Sequence, residues 1–281
     1  MEPAAEQIRD QQKATWNKFS SGWRKWDEFT MDFLAPMGEA LITSLSPNES
    51  DQILDVATGT GEPGISIARI VSKGKVVGID LSEGMLAVAI EQAKAKGVEN
   101  FETMVCDVMN LPFADNTFDA ISCRFGYMFF PDMDLATNEL VRVLKPGGKI
   151  ATAVWAEPAG NNWVTAMMAP LNETLQIAPA PAGATGIFRC QGSGMIENIF
   201  SNAGLKNIST KDISADRDFI SKQWYWNYMN DVVAPVVSAM SNASDEQKEI
   251  IQSKVFGIID KLNPQGGAIF QYKARIISAV K

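Results

Sequence analysis

The segment Ile53-Leu54-Asp55-Val56-Ala57-Thr58-Gly59-Thr60-Gly61-Glu62-Pro63-Gly64 constrains the fold of this chain more than any other. Ile53 to Ala57 is apolar apart from Asp55 and reads as a buried strand. Gly59 and Gly61 permit a sharp turn and let the backbone approach a ligand that a side chain would hold away. Pro63 suits the first turn of a helix, where its missing N–H costs nothing. A strand, a glycine loop and a helix start, in that order, present free backbone N–H groups to an anionic or polar ligand. The segment therefore predicts an α/β domain built around a nucleotide-type cofactor site.

The string Gly59-Thr60-Gly61-Glu62-Pro63-Gly64 also satisfies the G-x-G-x-x-G pattern of dinucleotide binders. Asp55 argues against a pyrophosphate, because like charges in a small site repel. A carboxylate beside the loop suits a cofactor with a positive amino group, such as S-adenosyl-L-methionine. The second strand, Val76 to Asp80, ends in an acid 19 residues after Gly61. That is the spacing at which an acid meets ribose hydroxyls in either kind of site. A third strand, roughly Phe101 to Val105, leads into Cys106-Asp107-Val108, where Asp107 is placed to accept from an adenine amine. Leu111 to Ser122 reads as a turn followed by a fourth strand. Arg124-Phe125-Gly126-Tyr127 comes next, then a helix from about Leu135. Val143-Leu144-Lys145-Pro146-Gly147-Gly148-Lys149-Ile150 is a helix end, a turn and the start of a fifth strand.

In this order, over about Gln52 to Trp155, these strings resemble the class I S-adenosylmethionine-dependent methyltransferases. They are similar in particular to the small-molecule branch around the ubiquinone/menaquinone C-methyltransferases. The resemblance implies a Rossmann-like seven-stranded, mostly parallel sheet with helices on both faces and the last strand antiparallel; the residues alone say only α/β. It implies that Asp55 and the loop Ala57, Thr58, Gly59, Thr60 and Gly61 hold the methionine end of the cofactor. Asp80, with Leu81 beside it, would hold the ribose. Met85 and the Asp107-Val108 pair, led into by Cys106, would flank the adenine, and Cys123, Arg124 and Phe125 would lie near the methionine amino group. Base-methylating relatives carry an Asn/Asp-Pro-Pro-aromatic string after the fourth strand. Arg124-Phe125-Gly126-Tyr127 stands there instead, which disfavours nucleic-acid amines; the leading expectation is methyl transfer by in-line displacement to a small, apolar or aromatic acceptor, at C, O or N. Two other readings stay open. One is a protein that binds the same cofactor in a non-methylating role such as cyclisation, and the other an NAD-dependent oxidoreductase.

Composition narrows the choice further. A net charge of −8, from 25 basic and 33 acidic residues with no Lys/Arg stripe, argues against a nucleic-acid partner. No apolar run is long enough to span a bilayer, and Met1-Glu2-Pro3-Ala4-Ala5-Glu6 does not read as a signal peptide. Cys106, Cys123 and Cys190 have no metal-ligand spacing and read as reduced thiols in a cytoplasm, with no metal expected. Histidine is absent, which removes the commonest general base and every Ser–His or Cys–His nucleophile. Methyl transfer tolerates this, because holding donor and acceptor in contact supplies much of the rate. No catalytic residue is assigned; Tyr127, Asp132 and Glu157 follow strand ends and are the groups placed to act as a base.

Residues 1–45 read as an N-terminal helical lid. Trp16, Phe19, Trp23, Trp26, Phe29 and Phe33 recur every three or four positions as an amphipathic face. That face packs on the sheet, with Trp23 and Trp26 as added candidates for contact with the acceptor. Residues 46–281 form the cofactor domain, with cap segments at 160–190 and 219–262. The expected elements are a helix Asn161 to Ile177, a Pro/Ala loop, a helix Met195 to Ala203 and a sixth strand Leu205 to Ser214. Helices Phe219 to Ala239 and Asp245 to Leu262 follow, then a last strand Ala268 to Val280. The Met and aromatic content of the cap segments suits an apolar acceptor or core packing alike. Tyr127, Trp155, Phe188 and Trp224 join Trp23 as candidate acceptor contacts.

Overall fold

Apolar strands alternating with helices close into one seven-stranded sheet of order β3-β2-β1-β4-β5-β7-β6 in the computed structural model. The structure describes residues 3–181 and 183–281. Met1 and Glu2 of the N-terminal segment and Ala182 of the Pro/Ala loop lie outside the described residues. The chain runs α1 (Pro3–Lys25), α2 (Asp27–Leu45), β1 (Gln52–Val56), α3 (Gly64–Ile70), β2 (Lys75–Asp80), α4 (Glu83–Ala95) and β3 (Phe101–Val105). It continues through β4 (Phe118–Arg124), α5 (Met133–Val143), β5 (Leu144–Trp155), α6 (Asn162–Leu175), α7 (Met195–Asn202) and β6 (Lys206–Asp218). The last elements are α8 (Lys222–Val232), α9 (Ala234–Met240), α10 (Asp245–Leu262) and β7 (Ile269–Val280). β1 to β5 pair in parallel, and β7 runs antiparallel to β5.

Successive residues of a strand point to opposite faces, so the burial of Ile53, Leu54, Asp55 and Val56 in a row means that helices cover both faces of the sheet here. β1 lies between β2 and β4, where the chain reverses its direction of growth across the sheet. Such a switch point opens a crevice beyond the carboxyl ends of the strands. Register carries one consequence for chemistry: Asp55 of β1 stands opposite Gly78 of β2 and Ser122 of β4.

The contacts divide the chain into two units, Met1–Trp155 with Thr185–Ile213 and Ala274–Lys281, and Ala156–Ala184 with Ser214–Lys273. Each has its own core. In the second, Trp163, Met167, Tyr225, Met229, Ile251, Val255 and Ile259 are buried, and Tyr225 donates its hydroxyl proton to Trp163 O at 2.8 Å. Phe219 sits edge-on against Tyr225, Tyr228, Trp224 and Phe270.

Three boundaries differ from the sequence expectation. The helix expected over Phe219 to Ala239 is two helices separated at Val233, because Pro235 has no N–H to continue the ladder. The sixth strand runs on to Asp218, and nearly all of its residues are exposed. The N-terminal helix breaks at Trp26, whose φ of −106° and ψ of 13° leave the helical region.

Candidate active site

The loop after β1 is organised by its buried acid. Asp55 accepts hydrogen bonds from Thr58 Oγ1 (2.5 Å), Gly64 N (3.1 Å) and Ser122 Oγ (2.6 Å). Wholly enclosed, its carboxyl is pushed up to about 6 by burial, against the pull of those donors and of Arg124. Asp55 therefore holds the loop shut on the sheet and has no free oxygen aimed at the open side. Gly59 has φ +56°, and a Cβ added there meets nothing within 4 Å, so the loop's outer rim is open. Gly61 has φ +108°, and a Cβ would lie 2.5 Å from Ile65 Cδ1 and 3.3 Å from Ala89 Cβ. Gly59 thus leaves room for a ligand, whereas Gly61 lets α3 and α4 pack. Ala57 holds φ +52°, sparsely populated for a residue with a side chain. Thr60 is 3% exposed and its Oγ1 has no partner.

Asp80, at the end of β2, accepts from Gly59 N at 3.0 Å and from Ser82 N at 2.9 Å. One acid thus ties the glycine loop to the start of α4, and burial raises its pKa. Ser82 caps α4 by accepting from Met85 N, and Met85 is buried beneath. Leu81 is half-buried beside them. At the end of β3, Cys106 N donates to Asp80 O, and Asp107 Oδ1 accepts from Met109 N at 2.9 Å. Asp107 Oδ2 is buried without a hydrogen bond, with Arg9 Nη1 at 3.8 Å. Val108 is buried next to it. Asp80, Asp107 and the loop thus share one rim at the carboxyl ends of β1 to β3.

The turn after β4 closes on this rim. A Cβ on Gly126 would come within 2.8 Å of Ala57 Cβ and 2.7 Å of Cys123 Sγ, so the turn and the glycine loop touch. Phe125 has φ +62°, and its ring stacks on Trp155 at 4.2 Å; Trp155 stacks in turn on Phe33 of α2. Arg124 donates to Leu34 O at 3.4 Å and Met31 Sδ at 3.3 Å, and burial lowers its pKa against the charges of Asp55, Glu62 and Asp27. Burial pushes the Cys106 and Cys190 thiols up to about 11 and that of Cys123 to about 12, so all three are neutral near pH 7.

The candidate acceptor contacts fall into different surroundings. Trp23, with a buried and unpartnered Nε1, packs edge-on to Trp16, which does the same to Phe129 after β4. Phe188 is half-buried on a segment tied to that turn: Gly186 N donates to Met128 O, and Arg189 donates to Phe130 O and Pro131 O. Trp224 belongs to the second unit, stacked on Tyr228 at 5.7 Å. Tyr127 is fully buried, its hydroxyl 3.1 Å from Thr137 Oγ1 and its pKa raised by burial. Asp132 caps α5 by accepting from Leu135 N at 2.9 Å, and Glu157 pairs with Lys273 at 2.8 Å. None of these last three is poised as a base.

Sequence reasoning missed four residues. Ser122 was read as the end of the fourth-strand segment and given no site role, because its pairing with Asp55 depends on strand register. Asn17 Oδ1 accepts from Ser82 Oγ at 2.7 Å and Gly84 N at 3.0 Å, docking α1 on α4. Arg9 and Asp27, on α1 and α2, reach Asp107 and Thr60. Polar residues on helices look like solvated faces, so no local signal marks them.

Residues 20–167 match the model of the ubiE/COQ5 methyltransferase family. The demethylmenaquinone methyltransferase of Bacillus cytotoxicus is 43% identical over 106 residues, 37% of this chain and 45% of the relative. The chain thus spans about half the length of the curated relatives it matches. Among solved structures, the YcgJ protein of Bacillus subtilis superposes with a TM-score of 0.58 at 21% identity, over 87% of this chain and 97% of the other. The [4+2]-cyclase SpnF superposes with a TM-score of 0.55 at 20% identity, over 88% and 80%.

Proposed function

Because the chain belongs to the ubiE/COQ5 methyltransferase family, we propose that it transfers a methyl group from S-adenosyl-L-methionine to a small, apolar or aromatic acceptor. The observation that carries this reading is the family match laid over the switch-point site, whose rim holds an open Gly59, the buried Thr60 hydroxyl beside Asp27, and a buried Asp107 Oδ2 that makes no hydrogen bond. These fit the cofactor at both ends. Asp80 and Asp107 would hold its ribose and adenine, and the loop from Ala57 to Gly61 its methionine end. Leu81, Met85, Cys106 and Val108 would line the nucleoside, and Cys123 to Phe125 the side of the sulfur. When bound, the cofactor supplies a methyl group on a positive sulfur, already activated for displacement.

The chain's own residues then bind, orient and exclude water. Asp55 and Asp80 fix the loop, and Phe125, Trp155 and Phe33 form a stacked apolar wall. With histidine absent and the thiols neutral, placement of the acceptor is the main contribution. Residues 1–45 serve as a lid, and segments 160–190 and 219–262 as a cap that governs acceptor choice. Trp23 and Phe188 are the acceptor contacts beside the cofactor rim. The acceptor is a small molecule rather than a nucleic acid, and free Cys106, Cys123 and Cys190 fit a reducing cytoplasm. No helix among the described residues is long and apolar enough to cross a membrane. Family membership disfavours the oxidoreductase and non-methylating readings.

Incubation with methyl-labelled cofactor and a panel of quinols, phenols and amines, beginning with the relative's demethylmenaquinone in reduced form, should move label into one product. Failure to bind either S-adenosylmethionine or S-adenosylhomocysteine would overturn the reading.

A further inference from the structure

At the junction of α1 and α2, and in the glycine loop beside it, three buried polar atoms have no hydrogen-bond partner: Trp23 Nε1, Asp27 Oδ1 and Thr60 Oγ1. Asp55 offers a contrast, since it is wholly enclosed and both its carboxylate oxygens already accept bonds from the chain. A buried polar atom left unpaired is costly until a partner completes it. Trp26 N donates to Gly22 O and Thr30 N to Trp26 O, so hydrogen bonds bridge the break at Trp26. Trp23 and Asp27 flank that break on either side.

Asp27 lies against the Thr60 hydroxyl, and burial raises its pKa, opposed first by that hydroxyl and then by the charges of Lys96 and Arg124. Neither cation bonds to it. Lys96 pairs with Glu62 at 2.7 Å, and the Arg124 guanidinium donates to Leu34 O and Met31 Sδ. The cluster therefore holds one half-buried acid with no cation bonded to it, one hydroxyl able to accept, and one indole N–H that can only donate. That donor and acceptor set matches a zwitterion.

We propose that Asp27 and Thr60 bind the α-ammonium group of the cofactor's methionine end, and that Trp23 Nε1 donates to its α-carboxylate. The assignment rests on the function proposed above. It gives the ammonium a counter-charge that Asp55, fully engaged in holding the loop, does not offer. It also gives α1 and α2 a direct part in sensing whether the cofactor is present.

Calorimetric titration separates the two levels of the argument. S-adenosylhomocysteine carries the amino-acid end; 5′-methylthioadenosine lacks it. Asp27→Asn keeps the shape of the side chain and should weaken S-adenosylhomocysteine at least tenfold, the loss expected for a charge-assisted hydrogen bond. Binding of 5′-methylthioadenosine should stay within twofold. Trp23→Phe should show the same selectivity, with a loss of about tenfold, because the indole N–H would donate to a charged carboxylate. Unchanged S-adenosylhomocysteine affinity in Asp27→Asn, or an equal loss of both ligands in the two variants, would overturn the assignment. A wild-type protein that binds neither ligand would overturn the proposed function itself.

Discussion

Replacing Asp55 by Asn should reveal a buried carboxyl that weakens the fold as it ionises. Burial pushes the Asp55 carboxyl up to about 6, despite donors from Ser122, Thr58 and Gly64 and the charge of Arg124. In the unfolded chain the same group titrates near 4. The native state therefore holds this proton more tightly than the unfolded state. The stability it brings is fully present below about pH 4 and is lost as the pH rises through about 6. The whole effect is roughly 3 kcal/mol, of which roughly 1 kcal/mol falls between pH 5 and 7. An Asn side chain does not titrate, and its surroundings can adapt to it. Its oxygen can accept from Gly64 N, while the Ser122 and Thr58 hydroxyls rotate so that one of them accepts from the amide. Urea unfolding of both ligand-free proteins at pH 5, 6 and 7 measures the difference directly. The wild type should lose stability relative to the variant as pH rises. Parallel curves, or a wild type that gains on the variant, would refute the reasoning and show that Arg124 outweighs burial at this site.

Two further outcomes follow from the same geometry. Gly61→Val places a Cβ 2.5 Å from Ile65 Cδ1 at a φ of +108° and should lower Tm by several degrees, whereas Gly59→Ala meets open space. The alanine should lose only about 1 kcal/mol of stability while weakening S-adenosylhomocysteine, and unchanged affinity by calorimetry would remove the cofactor from that rim. Tyr127→Phe deletes a hydroxyl that is hydrogen-bonded to Thr137 and should leave single-turnover methylation within a few-fold; a thousandfold fall would make Tyr127 a base.

What could be read from the sequence were the places where the backbone itself is constrained. The apolar run into Asp55, the glycines after it, the acid at Asp80 and the turn at Pro146-Gly147-Gly148 each restrict φ and ψ or burial within a few residues. Those segments became β1, β2 and the turn inside β5 where expected. The sheet order was not local information and came with the family resemblance. β6 was read four residues short because an edge strand exposed on both faces has no apolar period to follow. The break at Val233 was overlooked although Pro235 is visible, because the apolar pattern runs on through it. Side-chain partnerships were the least legible. Asp55 looked like a ligand contact, yet strand register gives it Ser122, and loop closure gives it Thr58 and Gly64. Asp27 carries no local signal in the sequence, and only the fold sets it beside Thr60. The same sheet also carries a [4+2]-cyclase, so the fold alone does not choose the chemistry. That choice falls to the few polar atoms the fold leaves unpaired along the crevice rim, and these are the atoms that only tertiary structure brings to light.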